Sequence, residues 1–181
     1  AILCGLWEGI GEQVAQCLSR QGVELFIIES DERLARSVVS SIEDGGGRAS
    51  LLPHDAASSS GISAAFAKVG ADRNRLDILV TTANRGHWGD LLETREDDLD
   101  AMYHANIKSV FYAMKAALPF MLEAGGAIVN VGSVFAHVAL KERFAYMMTK
   151  GALVSMTRSV AADYADRNVR CNCVCPARVD T

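Results

Sequence analysis

A chain of 181 residues has room for one domain with a sizeable core. Half of it is hydrophobic and three residues are proline, which excludes a disordered chain. A net charge of -4, with no basic stripe, argues against nucleic acid and anionic membrane partners, and no apolar run approaches bilayer length.

The apolar run at 1–4 predicts a buried strand. It leads through Gly5-Leu6-Trp7-Glu8-Gly9-Ile10-Gly11 into an amphipathic helix to about Gln21, stopped by Gly22. A second strand is expected over 23–28. A helix follows, opened by Glu29-Ser30-Asp31 with Ser30 or Asp31 as its cap, and ended by Gly45-Gly46-Gly47. Next come a strand at 49–52 and a helix capped by Ser58 or Ser59 that reaches about Asp72. A strand at 76–80 precedes a loop with Gly86 and Gly89, then one long helical region over about 95–123, broken by Gly125-Gly126. The chain closes with a strand at 127–131, a helix over about 144–166 and a strand at 169–174.

These strands are short and continuously apolar, as parallel strands covered on both faces are. The expected fold is α/β: a doubly wound, Rossmann-type parallel sheet with helices on both faces. No linker or repeat divides 1–181, so a single dinucleotide-binding and catalytic domain is expected. Ala1 falls inside a strand and Thr181 in a loop, so both ends read as cut from a longer protein.

Gly5, Gly9 and Gly11 separate the first strand from the first helix. Glycines there permit a tight turn and let a pyrophosphate approach the N–H groups of a helix N-terminus. Glu29 ends the second strand, about twenty residues on, where a carboxylate accepts from ribose hydroxyls. It is equally a helix N-terminal acid favoured by the dipole. Glu8 and Glu29 would repel a 2′-phosphate, so NAD is favoured over NADP, with Arg33 as the counterweight. Tyr146 and Lys150 stand one helical turn apart on one face. An ammonium beside a phenol lowers its pKa and equips it for proton transfer. Ser133, after the fifth strand, can aim its hydroxyl at the same place. Alone, a Tyr-x-x-x-Lys pair is a weak signal.

Together these stretches resemble the short-chain dehydrogenase/reductase family. Gly5, Gly9, Ile10 and Gly11 match its Thr-Gly-x-x-x-Gly-Ile-Gly loop, with Cys4 in place of the Thr. Asp55, with Ala56 beside it, resembles its adenine-contacting Asp. Thr81-Thr82-Ala83-Asn84 falls where Asn-Asn-Ala-Gly is usual. Asn106 sits where a helix Asn supports a water in the proton relay; read by itself it is a polar residue bonded to nearby backbone. Ser133, Tyr146 and Lys150 match the catalytic Ser and Tyr-x-x-x-Lys. Pro176, in Asn172-Cys173-Val174-Cys175-Pro176-Ala177, and Thr181 match positions that line the nicotinamide. The resemblance implies hydride transfer between a nicotinamide and a secondary alcohol or ketone. Tyr146 would act as acid or base, Lys150 would tune it and hold the ribose, and Ser133 would hold the substrate oxygen. Thr81, Thr82, Asn84, Ala177 and Trp7 depart from the pattern, which puts the strength of cofactor binding in question. The family's last strand and the lid helices that close over substrate are not found within 1–181.

Arg143 precedes Tyr146 by three residues and suits a substrate carboxylate. It reads as well as a solvated residue of the charged turn Lys141-Glu142-Arg143. The 143–146 and 169–181 stretches are similar to a subgroup acting on hydroxy acids, the cytosolic 3-hydroxybutyrate and deoxy-sugar-acid dehydrogenases, which implies the first reading. Arg178 departs from that subgroup. The rivals are an NADPH-dependent 3-oxoacyl-thioester reductase and a non-catalytic nucleotide sensor or scaffold.

Cys171, Cys173 and Cys175 alternate along one strand face. Metal sites favour Cys-x-x-Cys knuckles, so these read as free thiols of a reducing cytoplasm, and no metal site is expected. His54 and His104 have no partner in sequence, and His87, Trp88 and His137 flank the cleft. The resemblance implies a homodimer or homotetramer paired through the two long helices. Met102, Phe111, Met114, Met148, Val154 and Met156 are candidates for that interface or for the core.

Overall fold

The computed structural model describes residues 1–6 and 9–179. Among them are six strands: β1 (Ile2–Cys4), β2 (Leu25–Ile28), β3 (Ala49–Leu52), β4 (Ile78–Thr81), β5 (Gly126–Val131) and β6 (Val169–Val174). They form one parallel sheet in the order β3-β2-β1-β4-β5-β6. Central β1 pairs with β2 on one side and β4 on the other, Ile2 lying opposite both Phe26 and Leu79. The strand order reverses at β1, and a crevice opens there at the carboxyl ends of the strands. This is the expected doubly wound fold.

Side-chain alternation along β1 divides the core in two. Ile2 and Cys4 pack with Phe66, Val69, Met114 and Leu153 on one face. Leu3 packs with Ala15, Ala35, Val38 and Ile42 on the other. The covering helices are α1 (Ile10–Arg20), α2 (Glu32–Asp44), α3 (Ser59–Asp72), α4 (Glu96–Tyr103), α5 (Ser109–Ala117) and α6 (Phe144–Asp163). Two starts are fixed by side-chain caps: Asp31 Oδ1 accepts from Leu34 N at 3.0 Å, and Ser58 Oγ accepts from Gly61 N at 3.2 Å.

The single helix expected over 95–123 is instead four pieces. A π-helical segment, His104–Lys108, separates α4 from α5, and a 3-10 turn, Leu118–Phe120, follows. A π turn accommodates one extra residue, and here it brings Asn106 inside. Pro119 has no N–H to donate to a continuing α-helix. Helix α6 stops at Asp163, short of 166, because a 3-10 turn (Ala165–Arg167) and a left-handed Asn168, φ 57°, turn the chain into β6. Strands β2 and β4 each begin two residues later than expected, and β4 runs on to Thr81.

Of the apolar residues in question on the long helices, Met102 and Met114 are core. Phe111 and Met148 are exposed. No described helix is long and apolar enough to cross a membrane.

Candidate active site

At the crevice, Gly5 takes φ +88°, and a Cβ there would come within 2.8 Å of Ala83 N. A Cβ on Gly11 would meet Leu6 Cα at 2.6 Å and Gly5 O at 2.8 Å. Side chains are thus excluded where the loop after β1 folds under β4. Helix α1 starts from Gly9 with no side-chain cap, so no capping side chain takes up its first N–H groups. Gly5, Glu29, Asp55, Ala56, Ala83 and Asn84 line a cavity of about 320 Å³ there.

Glu29 stands at the end of β2 as expected, but its oxygens are already engaged. Oε2 accepts from Leu6 N at 3.0 Å, and Oε1 accepts from Ser30 N at 2.8 Å and Asp31 N at 3.0 Å. The carboxylate therefore ties the glycine loop to the start of α2, and Glu29 lines the cavity. Asp55 Oδ1 caps Ala57 N at 2.8 Å. Asn84 Oδ1 is a buried acceptor with no donor among the described residues, although it lines the cavity. A cradle without Cβ atoms, an open helix N-terminus and an unsatisfied acceptor fit the adenosine and pyrophosphate of a dinucleotide.

The departures at 81 and 82 are braces in their own right. Thr82 Oγ1 donates to Gly5 O at 2.7 Å, fastening the glycine loop to the strand beside it. Thr81 Oγ1 donates to Asn130 Oδ1 at 2.8 Å, and Asn130 Nδ2 donates to Thr157 Oγ1 at 3.0 Å. All three are buried, so β4, β5 and α6 are locked by a satisfied polar chain. In sequence Asn130 is only an Asn in an apolar strand and Thr157 a Thr inside a helix, and neither has a local pattern that marks it.

Ser133, Tyr146 and Lys150 converge at the carboxyl end of β5. Ser133 is buried, extended, and begins the 3-10 turn Val134–Ala136, its Oγ accepting from Phe135 N at 3.3 Å. Tyr146 lies in the first turn of α6 and meets the Phe135 ring edge-on at 6.3 Å between centroids. Lys150 is 1 % exposed. Its Nζ donates to Val131 O at 3.3 Å and lies 5.6 Å from the centre of the Tyr146 ring. Burial pulls the Lys150 ammonium down to about 8. Pro176 O accepts from Val134 N at 2.9 Å, which places the turn after β6 against the turn that carries Ser133.

Asn106 is buried, and its side chain is fully committed. Oδ1 accepts from Arg85 N at 2.7 Å, and Nδ2 donates to Arg85 O at 3.0 Å and Thr149 Oγ1 at 3.1 Å. Thr149 Oγ1 in turn donates to Tyr146 O at 2.8 Å. Thr149 lies between the Tyr and the Lys, where sequence reasoning has no signal for it; it connects the π segment to α6.

Arg143 lies over the Trp88 ring, and its Nη1 donates to His87 O at 2.9 Å. Gly89 N donates to Glu142 O at 2.9 Å, and Phe144 N to Gly89 O at 3.2 Å. The loop after β4 is thus pinned to the start of α6. Among the described residues no carboxylate lies within ion-pair distance of Arg143, and desolvation lowers its pKa. Arg33, His137 and Arg178 are exposed. Trp7, Glu8 and Thr181, the last a proposed nicotinamide contact, lie outside the described residues.

The family profile described as "Enoyl-(Acyl carrier protein) reductase" matches residues 5–181. The chain is 31 % identical over 181 residues to a 3beta-hydroxysteroid dehydrogenase of Mediterraneibacter gnavus, covering 99 % of this chain and 66 % of that protein. It superposes with a TM-score of 0.93 on a dehydrogenase/reductase from Sinorhizobium meliloti 1021, at 31 % identity, over 99 % of this chain and 72 % of that one. A short-chain dehydrogenase/reductase from Serratia marcescens BCRC 10948 gives the same TM-score and identity, over 99 % of this chain and 74 % of that one. The chain therefore spans about two thirds to three quarters of these relatives' lengths. With its sheet order, glycine loop and Ser133, Tyr146 and Lys150 at one place, the chain belongs to the short-chain dehydrogenase/reductase family.

Proposed function

We propose that the protein is an oxidoreductase that exchanges a hydride between NAD(H) and a secondary alcohol or ketone, the substrate being a hydroxy acid or sugar-derived acid. The observation that carries this reading is Lys150, a buried cation packed beside the Tyr146 ring. A protein bears the cost of such burial where the charge has work to do. The nicotinamide, when bound, supplies the hydride chemistry. Tyr146 takes the hydroxyl proton in oxidation and returns one to the carbonyl oxygen in reduction. Lys150 favours the phenolate and holds the nicotinamide ribose. Ser133 donates to the substrate oxygen as charge develops on it. Asn106 is the proposed link from the site to bulk water, and its committed amide fixes it against Arg85 and Thr149.

Gly5, Gly9, Ile10, Gly11, Glu29, Asp55, Ala56, Ala83, Asn84, Tyr146, Lys150, Pro176 and Thr181 are the proposed cofactor contacts. Glu29 favours NAD, because a 2′-phosphate would meet a carboxylate already fixed in place by three backbone N–H groups. The five free cysteines support a reducing, cytoplasmic setting.

Arg143 supports an acidic substrate. It is held at the cleft by His87 and Trp88 and partly desolvated; Tyr146 and Glu142 act on it electrostatically, but among the described residues no carboxylate pairs with it directly, so an incoming carboxylate would complete it. A second reading, a bulky apolar alcohol, is favoured by the exposed Val138, Leu140 and Phe144 between Ser133 and the Tyr146 turn. The Mediterraneibacter gnavus relative, named for a hydroxysteroid, is consistent with it. Absorbance of reduced nicotinamide separates the readings when the protein is given NAD or NADP with hydroxy acids, neutral alcohols and sterols. Arg143→Ala is expected to raise KM about tenfold or more for acids and to leave neutral alcohols unchanged, the loss of a charge-assisted pair being worth about 1.5–3 kcal/mol. Equal effects on both would reject the acid; turnover with NADP alone would reject the Glu29 argument.

The homodimer or homotetramer is proposed through α4, α5 and α6. Tyr103, Ile107, Phe111, Ala152 and Met156 line an apolar groove of about 540 Å³ there, with Tyr103 and Phe111 nearly half exposed. Sedimentation equilibrium should give a mass at least twice that of the chain; a monomer at micromolar concentration would refute this.

A further inference from the structure

Cys173 lies on β6 and Cys175 one residue past its end, and the mechanism uses neither. Their sulfurs are 3.8 Å apart. Both sit over Gly132: a Cβ built there would come 2.7 Å from Cys173 Sγ and 3.1 Å from Cys175 Sγ. That glycine precedes Ser133 directly. Both sulfurs also lie in the electrostatic range of Lys150. The pair therefore forms a dithiol under the turn that carries Ser133.

The separation decides what such a pair can do. A disulfide needs its sulfurs about 2.05 Å apart and Cα atoms no further than about 6.8 Å. Residues two apart on an extended strand, rising about 3.2–3.4 Å each, stand at the top of that range. Closing the bond would require the backbone to bend. Two sulfurs bound tetrahedrally to one ion at about 2.3 Å stand about 3.8 Å apart. The observed spacing is already that bite.

We propose that Cys173 and Cys175 form a two-thiolate site for a soft divalent cation of the zinc–cadmium class. Two S–H bonds break, two metal–sulfur bonds form, and two protons leave to solvent. The product is neutral, as the two thiols were, so no new net charge is set beside the Lys150 ammonium. Among the described residues no cluster of three or more His, Cys, Asp and Glu surrounds the position, so solvent completes the coordination. Binding displaces the thiol protons, so affinity rises with pH. The pair escapes the usual metal-knuckle spacing because it rests on strand alternation rather than on a turn.

Cadmium ion added to the chain is expected to produce one thiolate-to-cadmium absorption per chain and to release protons into unbuffered solution. Cys173→Ser and Cys175→Ser should each lose the band, while Cys17→Ser, at an exposed thiol, keeps it. In the unaltered protein, cadmium should shield Cys173 and Cys175 from iodoacetamide while Cys17 still reacts, as read by peptide mass. That measurement decides the matter if a serine variant misfolds. No band in the unaltered protein, a band that survives in both serine variants, or cysteines alkylated at the same rate with and without cadmium would overturn the site. None of these readouts needs turnover, so they stand or fall apart from the oxidoreductase reading.

Discussion

Tyr146→Phe should reduce kcat by about 10²–10⁴-fold, the range for loss of a positioned proton donor. The substitution removes one oxygen. The ring that packs edge-on against Phe135 stays, and so does the main-chain oxygen that accepts from Thr149. NADH should bind with affinity within a few-fold of the original, measured by fluorescence titration. The two measurements together make the test specific. Loss of both turnover and binding would point to a collapsed helix start. A variant as active as the original would remove Tyr146 from the chemistry and the proposed mechanism with it.

Lys150→Met should abolish turnover and at the same time stabilise the cofactor-free chain. Lys150 is almost wholly buried, and its Nζ donates to Val131 O. Its folded-state pKa of about 8 lies below the ordinary 10.5. At neutral pH both folded and unfolded chains carry the proton, and the folded one bears the full cost of burying the charge. A difference of that size corresponds to roughly 3 kcal/mol. Between about pH 8 and 10.5 the unfolded chain holds more protons than the folded one, so the original protein gains stability as pH rises. The advantage of the methionine variant should therefore be largest below pH 8 and fade through that window. Urea titrations at pH 7 and pH 10 read the difference directly. A variant less stable than the original at pH 7 would mean that the ammonium is a structural asset rather than a functional cost.

Much of this architecture could be read from the chain because its signals are local. The caps at Asp31 and Ser58, the glycine stop at 45–47 and the continuous apolar strands each report on a few neighbouring residues. The π segment is different. One extra residue in a turn leaves the polar and apolar pattern of 95–123 almost unchanged, so periodicity gave one helix where the structure has several pieces. Met102 and Phe111 are alike in hydropathy, and only packing against α6 and the sheet separates a core residue from an exposed one. At the candidate site, the positions of Ser133, Tyr146, Lys150 and Glu29 followed from motif order. Their partners did not, because they are distant in sequence. Thr149 with Asn106, Thr81 with Asn130, and Thr82 with Gly5 span 43, 49 and 77 residues. Alternation already placed Cys173 and Cys175 on one face; their 3.8 Å approach over Gly132 depends on how β5 and β6 pack, which no local pattern reports.

The place of β1 in the sheet has a consequence for how the chain is assembled as it leaves the ribosome. β1 is made well before β4, yet one of its two hydrogen-bonding edges is filled by β4, with Cys4 opposite Thr81. Until that segment emerges, β1, β2 and β3 are a three-stranded half with an open edge and an unfastened glycine loop. Such late, distant pairing slows folding and leaves strand edges exposed to other chains. Thr82, which follows β4, closes the loop onto the sheet through Gly5. The crevice cavity, lined by Gly5, Glu29, Asp55 and Ala56 together with Ala83 and Asn84, is thus completed only when the segment after β4 has been synthesised.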